Sequence, residues 1–369
     1  MAVLEDVLDG RHAPVVPIPS GDLRESDLLT TALRVGEDIG DDIALVVPTS
    51  GTTGTPKGAM LSAAALIAGA SATHDRLGGP GSWLLALPAH HIAGIQVLVR
   101  SLQAGTVPAE IDISAGFDPA GLPAAAAGMG SGRRYTSLVA AQLAKALENP
   151  AATEALAGFD AVLLGGGPAP RPVLDAAAQA GVAVVRSYGS SETAGGCVYD
   201  GAALDGVRVR IDEPSADGQG RIVVGGATLA RGYRNPITPD PFAEPGWFRT
   251  EDIGRMDESG RLSVLGRLDD AISTGGLTVL PAQVEAVLAA HPAVAECAVF
   301  GVDDDRLGER VVAAVVAHGQ AAPTLDELAE WVSGSLDRTA APRELHVLAE
   351  LPRRGIGKVD RRALRARYG

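Results

Sequence analysis

A ten-residue segment near the start of the chain has the composition of a phosphate-binding loop. It combines three glycines, four threonines, a serine and a lysine, in the order Thr49, Ser50, Gly51, Thr52, Thr53, Gly54, Thr55, Pro56, Lys57, Gly58. Small residues leave backbone N–H groups open to an anion, and the hydroxyls add further donors. A flexible glycine-rich linker is the alternative interpretation. The lysine favours phosphate binding, because the whole chain contains only three lysines beside 28 arginines.

The surroundings of Lys57 differ from those of the P-loop lysine. The P-loop pattern, G-x-x-x-x-G-K-[ST], requires a glycine before the lysine and a hydroxyl residue after it. Here Pro56 precedes Lys57 and Gly58 follows it. The segment therefore predicts a nucleotide site on a different fold.

Two later segments place small or polar residues after strand-like runs. Residues 165–167 are three glycines after one such run, and Tyr188 and Glu192 lie in a polar segment after the next. The carboxyl ends of parallel strands are where α/β folds bind ligands. Taken alone, the glycines are equally consistent with a turn, Tyr188 with a rim aromatic and Glu192 with a solvated turn residue.

Histidines and a C-terminal lysine are further candidates for chemistry. His90 and His91 lie between a strand-like run and a helix-like segment, where paired histidines are more often core or capping residues. Lys358 lies within a cluster of arginines near the C-terminus. A basic surface tail is the ordinary interpretation of such a cluster. Such a cluster could also meet an anionic ligand.

The elements that would position these groups alternate between strands and helices. Strand-like runs at 83–87, 161–164 and 182–185 alternate with helix-like segments at 92–102, 138–147 and 173–180, which predicts an α/β layered fold with a largely parallel sheet. From about residue 207 the pattern changes to short strands broken by turns. After residue 267, helix-like and strand-like segments again mix, enough for a small α+β domain.

Bulk properties exclude several classes of protein. The net charge of −14 argues against nucleic acid or an anionic membrane as the main partner. The sequence contains no run of about 18 apolar residues, which a membrane-spanning helix would need. Cys197 and Cys297 are too few for a disulfide framework and fit a reducing compartment. These observations favour a cytoplasmic protein of two or more domains; a homo-oligomer is left open.

Six motifs follow the loop in an order that resembles the acyl-adenylate-forming superfamily, which includes acyl-CoA and aryl-CoA ligases. They are HHIAG at 90–94, GGGP at 165–168, RSYGSSET at 186–193, WFRTEDIG at 247–254, GRLDD at 266–270 and PRRGIGKVDR at 352–361. The motifs extend over the chain from residue 49 to residue 361. One departure is Glu251, which replaces the usual glycine but leaves Asp252 in register.

The resemblance implies roles for individual residues in binding ATP and Mg²⁺. Residues 49–57 would hold the phosphates, and Glu192 would hold Mg²⁺. The remaining nucleotide-binding positions that it implies are Gly166, Gly167, Tyr188 and Gly189 around adenine, Ser191 at a phosphate, and Asp252 and Arg267 at the ribose.

The resemblance also implies the catalytic groups and the domains. His91, with His90 as the alternate, would gate the acyl pocket, Asp269 would be the hinge, and Lys358 would be catalytic. The implied fold has a large AMP-binding domain at 1–267 with a β-rich subdomain at about 207–267, a hinge at 268–270 and a mobile α+β domain at 271–369. The loop begins only 48 residues after the first residue, so the first subdomain is expected to be reduced.

Two local sequences resemble one branch of the superfamily, the short actinobacterial-type o-succinylbenzoate-CoA ligases. They are LPAHHIAGIQVLVR at 87–100 and SYGSSETAGGCVYDG at 187–201. The implied substrates are an aromatic dicarboxylic acid, ATP and CoA. Arg100, on an otherwise apolar helix face, is the candidate partner of the second carboxylate, although a satisfied helix-end arginine is as consistent. Ser190, Gly195 and Gly196 are expected to shape the acid pocket.

Three alternatives were weighed against this interpretation. A generic short-chain or aryl acyl-CoA ligase would use the same motifs with a different pocket. A peptide-synthetase adenylation domain usually has an aspartate near the histidine motif, and none occurs at 84–100. A degenerate adenylate-binding protein would be expected to lack the metal glutamate or the C-terminal lysine, and both Glu192 and Lys358 are present.

Overall fold

The computed structural model describes residues 1–19, 21–49, 56–319, 321–354 and 358–369. The α-helices are α1 (Ala2–Leu8), α2 (Leu23–Ala32), α3 (Ala63–Arg76), α4 (Ile92–Gln103), α5 (Leu122–Ala127), α6 (Ala140–Leu147), α7 (Pro150–Ala157), α8 (Arg171–Gln179), α9 (Pro281–Leu288), α10 (Leu325–Ser333) and α11 (Arg361–Tyr368). The described helices include none with the length and apolar character needed to cross a bilayer.

The strands are β1 (Leu45–Val47), β2 (Ala59–Leu61), β3 (Ser82–Leu85), β4 (Ala109–Glu110), β5 (Arg134–Val139), β6 (Ala161–Gly165), β7 (Val184–Ser190), β8 (Gly195–Tyr199), β9 (Ala202–Ala203), β10 (Val207–Asp212), β11 (Gly220–Gly226), β12 (Trp247–Met256), β13 (Leu262–Arg267), β14 (Ile272–Thr274), β15 (Leu277–Val279), β16 (Val294–Asp304), β17 (Gly308–Ala317), β18 (Glu344–Leu348), β19 (Arg353–Arg354) and β20 (Lys358–Val359).

A seven-stranded sheet lies at the centre of the first part of the chain. Its order is β4-β3-β5-β6-β7-β8-β9, and the pairs from β4 to β7 are parallel, whereas β8 and β9 are antiparallel. Neighbouring residues enter different cores: Trp83 packs in one cluster and Leu84 in another. Because successive side chains of a strand point to opposite faces, both faces of this sheet are covered. The predicted α/β fold class is confirmed.

One predicted helix is shorter than expected. The sequence pattern predicts a helix over 138–147, but residues 138 and 139 belong to strand β5, and α6 begins at Ala140. The Gln142 side chain accepts a hydrogen bond from the backbone N–H of Val139 at 3.0 Å. This contact satisfies an N–H group at the start of the helix, so the helix begins immediately after the strand.

The rest of the chain forms smaller sheets. Strands β10 to β13 form an antiparallel sheet, and β15, β14, β17 and β16 form another to which β18 adds in parallel. On this last sheet, Val311 enters the cluster that contains residues of α9 and α10, whereas Val312 enters the cluster that contains Leu364 of α11. Helices therefore cover both faces, as the predicted α+β pattern requires.

Candidate active site

The end of the predicted phosphate-binding loop is held by a segment far along the chain. Strands β1 and β2 lie on either side of the loop and pair antiparallel, with Val47 opposite Ala59. The Asn235 side-chain amide donates to the carbonyl of Pro56 at 2.8 Å, and its backbone N–H donates to the carbonyl of Lys57 at 2.9 Å. The predicted phosphate-binding residues Ser50, Gly51, Thr52, Thr53, Gly54 and Thr55 lie outside the described residues.

The environment of the Thr49 hydroxyl favours a ligand at this loop. Its Oγ1 atom is buried and has no hydrogen-bond partner among the described residues. A buried hydroxyl without a partner costs free energy. A phosphate oxygen beside the loop would supply an acceptor, so the donors present here fit the polyphosphate of ATP.

Four of the predicted nucleotide-binding and hinge residues form one connected chain. The Tyr188 hydroxyl donates to Asp252 Oδ2 at 2.7 Å, and Asp252 Oδ1 lies 3.5 Å from Arg267 Nη1. Arg267 also donates from Nε and Nη2 to the two carboxylate oxygens of Asp269, at 2.8 and 2.7 Å. Residues that are up to 81 positions apart in sequence thus meet at the carboxyl end of strand β7.

The pKa of the Asp252 carboxyl is raised by its surroundings. Desolvation raises the pKa of the Asp252 carboxyl, while the hydrogen bond from Tyr188 and the charge of Arg267 oppose that rise. Burial and the neighbouring Asp252 raise the pKa of the Tyr188 phenol well above its usual range, so the phenol stays a donor. A carboxylate held in this way suits the hydroxyls of a ribose.

Glu192, the predicted metal ligand, lies in the short 3₁₀ turn Ser191–Thr193 at the end of β7. Its side chain is 9% exposed, and its Oε1 atom accepts a hydrogen bond from the Tyr233 hydroxyl at 2.6 Å. The described residues place no cationic side chain in an ion pair with this carboxylate. They also include no group of three or more His, Cys, Asp or Glu side chains arranged for a metal. A Mg²⁺ ion that takes most ligands from phosphate and water fits a single carboxylate.

The glycines on the adenine side occupy an exposed turn. Gly166 has a φ of +83°, which favours glycine, and a Cβ atom added at Gly167 would meet no atom within 4 Å. The turn follows β6, which is adjacent to β7 in the sheet. Its position at the same sheet edge as Tyr188 agrees with the predicted contact to adenine.

The two histidines lie where the histidine motif enters helix α4. His91 is the N-cap residue of that helix, and its ring centroid lies 4.4 Å from that of His90. Burial lowers the pKa of His90. Gly94 is required here, since a Cβ atom at this position would lie 2.3 Å from the carbonyl oxygen of Pro88. The described contacts do not separate the roles of the two histidines, and the gating role of His91 stays a prediction.

Arg100 is buried against aromatic side chains. It is 3% exposed, its guanidinium carbon lies 4.8 Å from the ring centroid of Trp83, and its Nη2 donates to the Tyr199 hydroxyl at 3.3 Å. Its Nε atom has no hydrogen-bond partner, and no acidic side chain pairs with it among the described residues. Burial lowers the pKa of Arg100. Arg100 is therefore a desolvated cation with no anionic partner in the described part of the chain.

The donor and the acceptor of each hydrogen bond around Tyr199 can be assigned. Thr73 Oγ1 donates to the carbonyl of Gly69 at 2.8 Å and lies 2.9 Å from the Tyr199 hydroxyl. The Tyr199 proton is therefore directed toward Thr73, and its oxygen accepts from Arg100. Beside them, burial and the charge of Arg100 lower the pKa of His74 to about 4, so His74 is neutral.

The glycines expected to shape the acid pocket are packed more tightly than predicted. A Cβ atom at Gly196 would lie 2.1 Å from Ser187 Oγ, and one at Gly195 would lie 3.1 Å from Gln96 Cγ. A Cβ atom added at Gly189 would lie 2.0 Å from the Gly195 carbonyl oxygen. These glycines allow close approach between β7, β8 and α4. Ser190 is the last residue of β7, and its backbone N–H donates to Thr193 Oγ1 at 2.9 Å.

Lys358 begins the second strand of a small C-terminal hairpin. Its backbone pairs with that of Arg354, and its side chain lies outside the described part of the chain. The strand leads into α11, where Arg361 donates to both carboxylate oxygens of Glu285 at 2.6 and 2.7 Å. This ion pair fixes the chain three residues beyond Lys358.

Four residues at or near the site carry interactions that the sequence analysis missed. Their partners are distant in sequence, so no local pattern signals these contacts; the residues are Trp83, Tyr199, Tyr233 and Asn235. Tyr233 and Asn235 occupy a turn-rich segment after β11, where the only local signal is an aromatic residue beside Gly232.

Comparisons with known proteins agree with this geometry. Residues 11–234 match the AMP-binding enzyme family, and residues 283–358 match the AMP-binding enzyme C-terminal domain. A probable 2-succinylbenzoate–CoA ligase of Mycobacterium tuberculosis (strain ATCC 25618 / H37Rv) is 65% identical, covering 100% of this chain and 94% of that protein. The 2-succinylbenzoate–CoA ligase of Bacillus cytotoxicus is 34% identical, covering 87% of this chain and 69% of the relative.

Two solved structures of similar proteins also align with most of this chain. The o-succinylbenzoate CoA synthetase of Bacillus subtilis, in complex with the acyl-adenylate intermediate OSB-AMP, aligns with a TM-score of 0.75 and 31% identity, covering 87% of this chain and 69% of that one. ATP-bound MatB from Rhodopseudomonas palustris aligns with a TM-score of 0.79 and 28% identity, covering 90% of this chain and 69% of that one.

Proposed function

Because the chain belongs to the AMP-binding enzyme family, we propose that it is an ATP-dependent acid–thiol ligase that converts 2-succinylbenzoate and CoA into a CoA thioester through an acyl-AMP intermediate. The observation that carries the nucleotide part is the hydrogen-bonded chain from Tyr188 through Asp252 and Arg267 to Asp269. The identity of 65% to a relative named for this acid supports the substrate.

In the first half-reaction, the substrate carboxylate attacks the α-phosphate of ATP and pyrophosphate leaves. Such a displacement is catalysed mainly by positioning and by neutralising charge. Asp252 and Arg267 hold the ribose, Tyr188 packs on adenine, and Lys57 binds the phosphates. Glu192 would hold Mg²⁺, which would supply positive charge to the phosphates. Lys358 stabilises the negative charge that develops as the carboxylate attacks.

In the second half-reaction, the thiol of CoA attacks the acyl carbon and AMP leaves. We place the domain boundary at residues 268–270, with the AMP-binding domain at 1–267 and the smaller domain at 271–369. Asp269 is the hinge about which the smaller domain turns, which removes Lys358 and admits CoA. Rotation about a few residues at the end of an element is a known form of domain motion. The two free cysteines fit our assignment of this reaction to the cytoplasm.

Arg100 supplies specificity for the second carboxylate in this proposal. Its guanidinium is desolvated and oriented by Trp83 and Tyr199, and its buried Nε has no hydrogen-bond partner among the residues that the structure describes. A buried cation without an anion is costly, and a substrate carboxylate would offset that cost. The contact is direct or through a water.

Replacing Arg100 by alanine should raise the KM for 2-succinylbenzoate by roughly ten- to hundredfold, because a charge-assisted hydrogen bond is worth about 1.5–3 kcal/mol. The KM for ATP should change little, since other residues hold the nucleotide. Arg100→Met keeps most of the packing volume against Trp83 and should give the same loss. The measurement is a two-by-two cycle of enzyme and ligand, using an analogue with a neutral group in place of the second carboxylate. Additive losses would make Arg100 a structural residue.

A substrate panel tests the proposed function as a whole. AMP release is measured with 2-succinylbenzoate, plain benzoates and short fatty acids, each with and without CoA. We expect AMP release with 2-succinylbenzoate, increased by CoA because the thiol displaces AMP from the acyl-adenylate. Preference for benzoates or fatty acids would instead support a generic acyl-CoA ligase, and no AMP release with any acid would contradict the ligase function.

A further inference from the structure

The ring of Tyr233 lies between the lysine of the phosphate-binding loop and the predicted metal ligand. Its hydroxyl donates to Glu192 Oε1 at 2.6 Å, and Lys57 Nζ lies over its ring, 5.2 Å from the centroid. Tyr233 itself is 8% exposed. One buried aromatic side chain therefore touches both charged groups that are expected to meet the triphosphate.

The backbone around Tyr233 is held against the end of the loop. Gly58 accepts a hydrogen bond from the N–H of Arg234 at 2.8 Å, and the N–H of Met60 donates to Gly232 at 3.0 Å. These bonds pair residues 232–234 with residues 58–60 in an antiparallel bridge. The position of the Tyr233 ring thus depends on the loop that carries Lys57.

The side chain of Tyr233 is also fixed by packing. Phe242 contacts its ring edge-on, at a centroid separation of 5.5 Å, and Phe248 stacks on Phe242 at 4.8 Å. Such aromatic pairs restrict a side chain to one orientation. The hydroxyl of Tyr233 is therefore directed at Glu192 by its surroundings.

Glu192 is fixed from a second direction by the same segment. Its backbone carbonyl accepts a hydrogen bond from the N–H of Ala230 at 2.8 Å, three residues before Tyr233. The Tyr233 hydroxyl then orients the carboxylate of Glu192 by holding one oxygen.

The arrangement keeps opposite charges apart. Lys57 and Glu192 form no ion pair among the described residues, although both contact Tyr233. The ammonium lies over the ring face, while the carboxylate lies at the phenol oxygen. A direct Lys57–Glu192 pair would neutralise both groups before the nucleotide and the metal arrive. Each charge instead has a favourable contact with Tyr233, the ammonium with the ring face and the carboxylate with the hydroxyl.

We propose that Tyr233 is a positioning residue that holds Lys57 and the Glu192 carboxylate separate and oriented for the magnesium-bound triphosphate. This inference rests on the proposed function, because it takes Glu192 as the metal ligand. Hydrogen-bond partners of metal ligands commonly set metal affinity in this way.

The test compares two tyrosine-to-phenylalanine variants by binding, without turnover. Tyr233→Phe keeps the ring and removes only the hydroxyl. Tyr135→Phe is the matched control, since its hydroxyl donates to the carbonyls of Leu77 and Gly79 at 3.0 and 2.9 Å, away from the site. Thermal protection by ATP is measured against Mg²⁺ concentration with no acid substrate present, so that no adenylate forms.

Tyr233→Phe should raise the Mg²⁺ concentration for half-maximal protection by about 10- to 100-fold, as removal of such a partner does at other metal sites. Tyr135→Phe should lower the melting temperature without moving the Mg²⁺ midpoint. Tyr233→Leu removes the ring too, and should in addition weaken ATP binding at saturating Mg²⁺ by roughly two- to fivefold. An unchanged Mg²⁺ midpoint in Tyr233→Phe would overturn the proposal.

Glu192→Gln separates failure of this inference from failure of the proposed site. If Glu192→Gln raises the Mg²⁺ requirement and Tyr233→Phe does not, Glu192 holds the metal and the positioning role of Tyr233 is wrong. If neither variant changes the Mg²⁺ requirement, Glu192 is not the metal ligand and the proposed metal site fails as well.

Discussion

Replacing Lys358 by alanine should reduce acyl-adenylate formation by about 10²- to 10³-fold, the usual cost of removing a group that stabilises charge in a transition state. Thioester formation from supplied acyl-AMP should be far less affected, because only the first half-reaction uses that charge. The two steps are measured separately, the first by pyrophosphate release and the second by AMP release from acyl-AMP and CoA.

The chain offers a matched control for this substitution. Lys145 lies on helix α6, where its Nζ donates to the carbonyl of Phe117 at 2.8 Å and is exposed. Lys145→Ala makes the same chemical change away from the proposed site, and we expect both half-reactions to be retained. Equal losses of the two half-reactions in Lys358→Ala would show that Lys358 does not act specifically in adenylation.

The sequence predicts much of the central fold because its apolar runs are distinct and their ends are marked. Strand β6 and helix α4 agree with their predicted ranges to within one residue. Strand β5 was missed because Leu138 and Val139 continue an apolar run into the following helix, and periodicity alone does not separate a short buried strand from a helix start. The missing information was the hydrogen bond from Val139 to Gln142.

The site could be predicted only where a motif keeps its residues together. Tyr188, Asp252 and Arg267 each lie in a motif, and the order of the motifs is enough to predict that they share a nucleotide. Tyr233 lies in no motif that was identified, and its link to Glu192 joins positions 41 residues apart. Such a contact depends on how the chain folds, so the sequence alone does not identify Glu192 as the partner of Tyr233.

The glycines show a different limit of the sequence analysis. Gly195 and Gly196 were expected to make space for the acid, but a Cβ atom at Gly196 would collide with Ser187. A missing side chain can make room for a ligand or for another strand, and the sequence does not distinguish these. At Gly196 the side chain of Ser187 occupies this space. Any contact of Gly196 with the acid would therefore have to use its backbone.

Changing Asp269 to proline should block CoA thiolysis while adenylation continues. Proline fixes φ near −65° and so restricts rotation at the proposed hinge. Misplacing the smaller domain by even 1 Å in the thiolysis orientation is expected to cost about 100-fold or more. Asp269 also binds Arg267 through two hydrogen bonds, so the substitution changes a side-chain contact as well as the backbone.

Asp269→Ala separates these two effects, because it removes the carboxylate and leaves the backbone free to rotate. We expect both variants to raise the KM for ATP by a similar factor, since both release Arg267 from its partner beside Asp252. Only Asp269→Pro should lose thiolysis of supplied acyl-AMP. If Asp269→Ala loses thiolysis to the same extent, the carboxylate and not the rotation is required; if Asp269→Pro retains full turnover, the hinge lies elsewhere. The ratio of the two thiolysis rates therefore measures what rotation at residue 269 contributes to the second half-reaction.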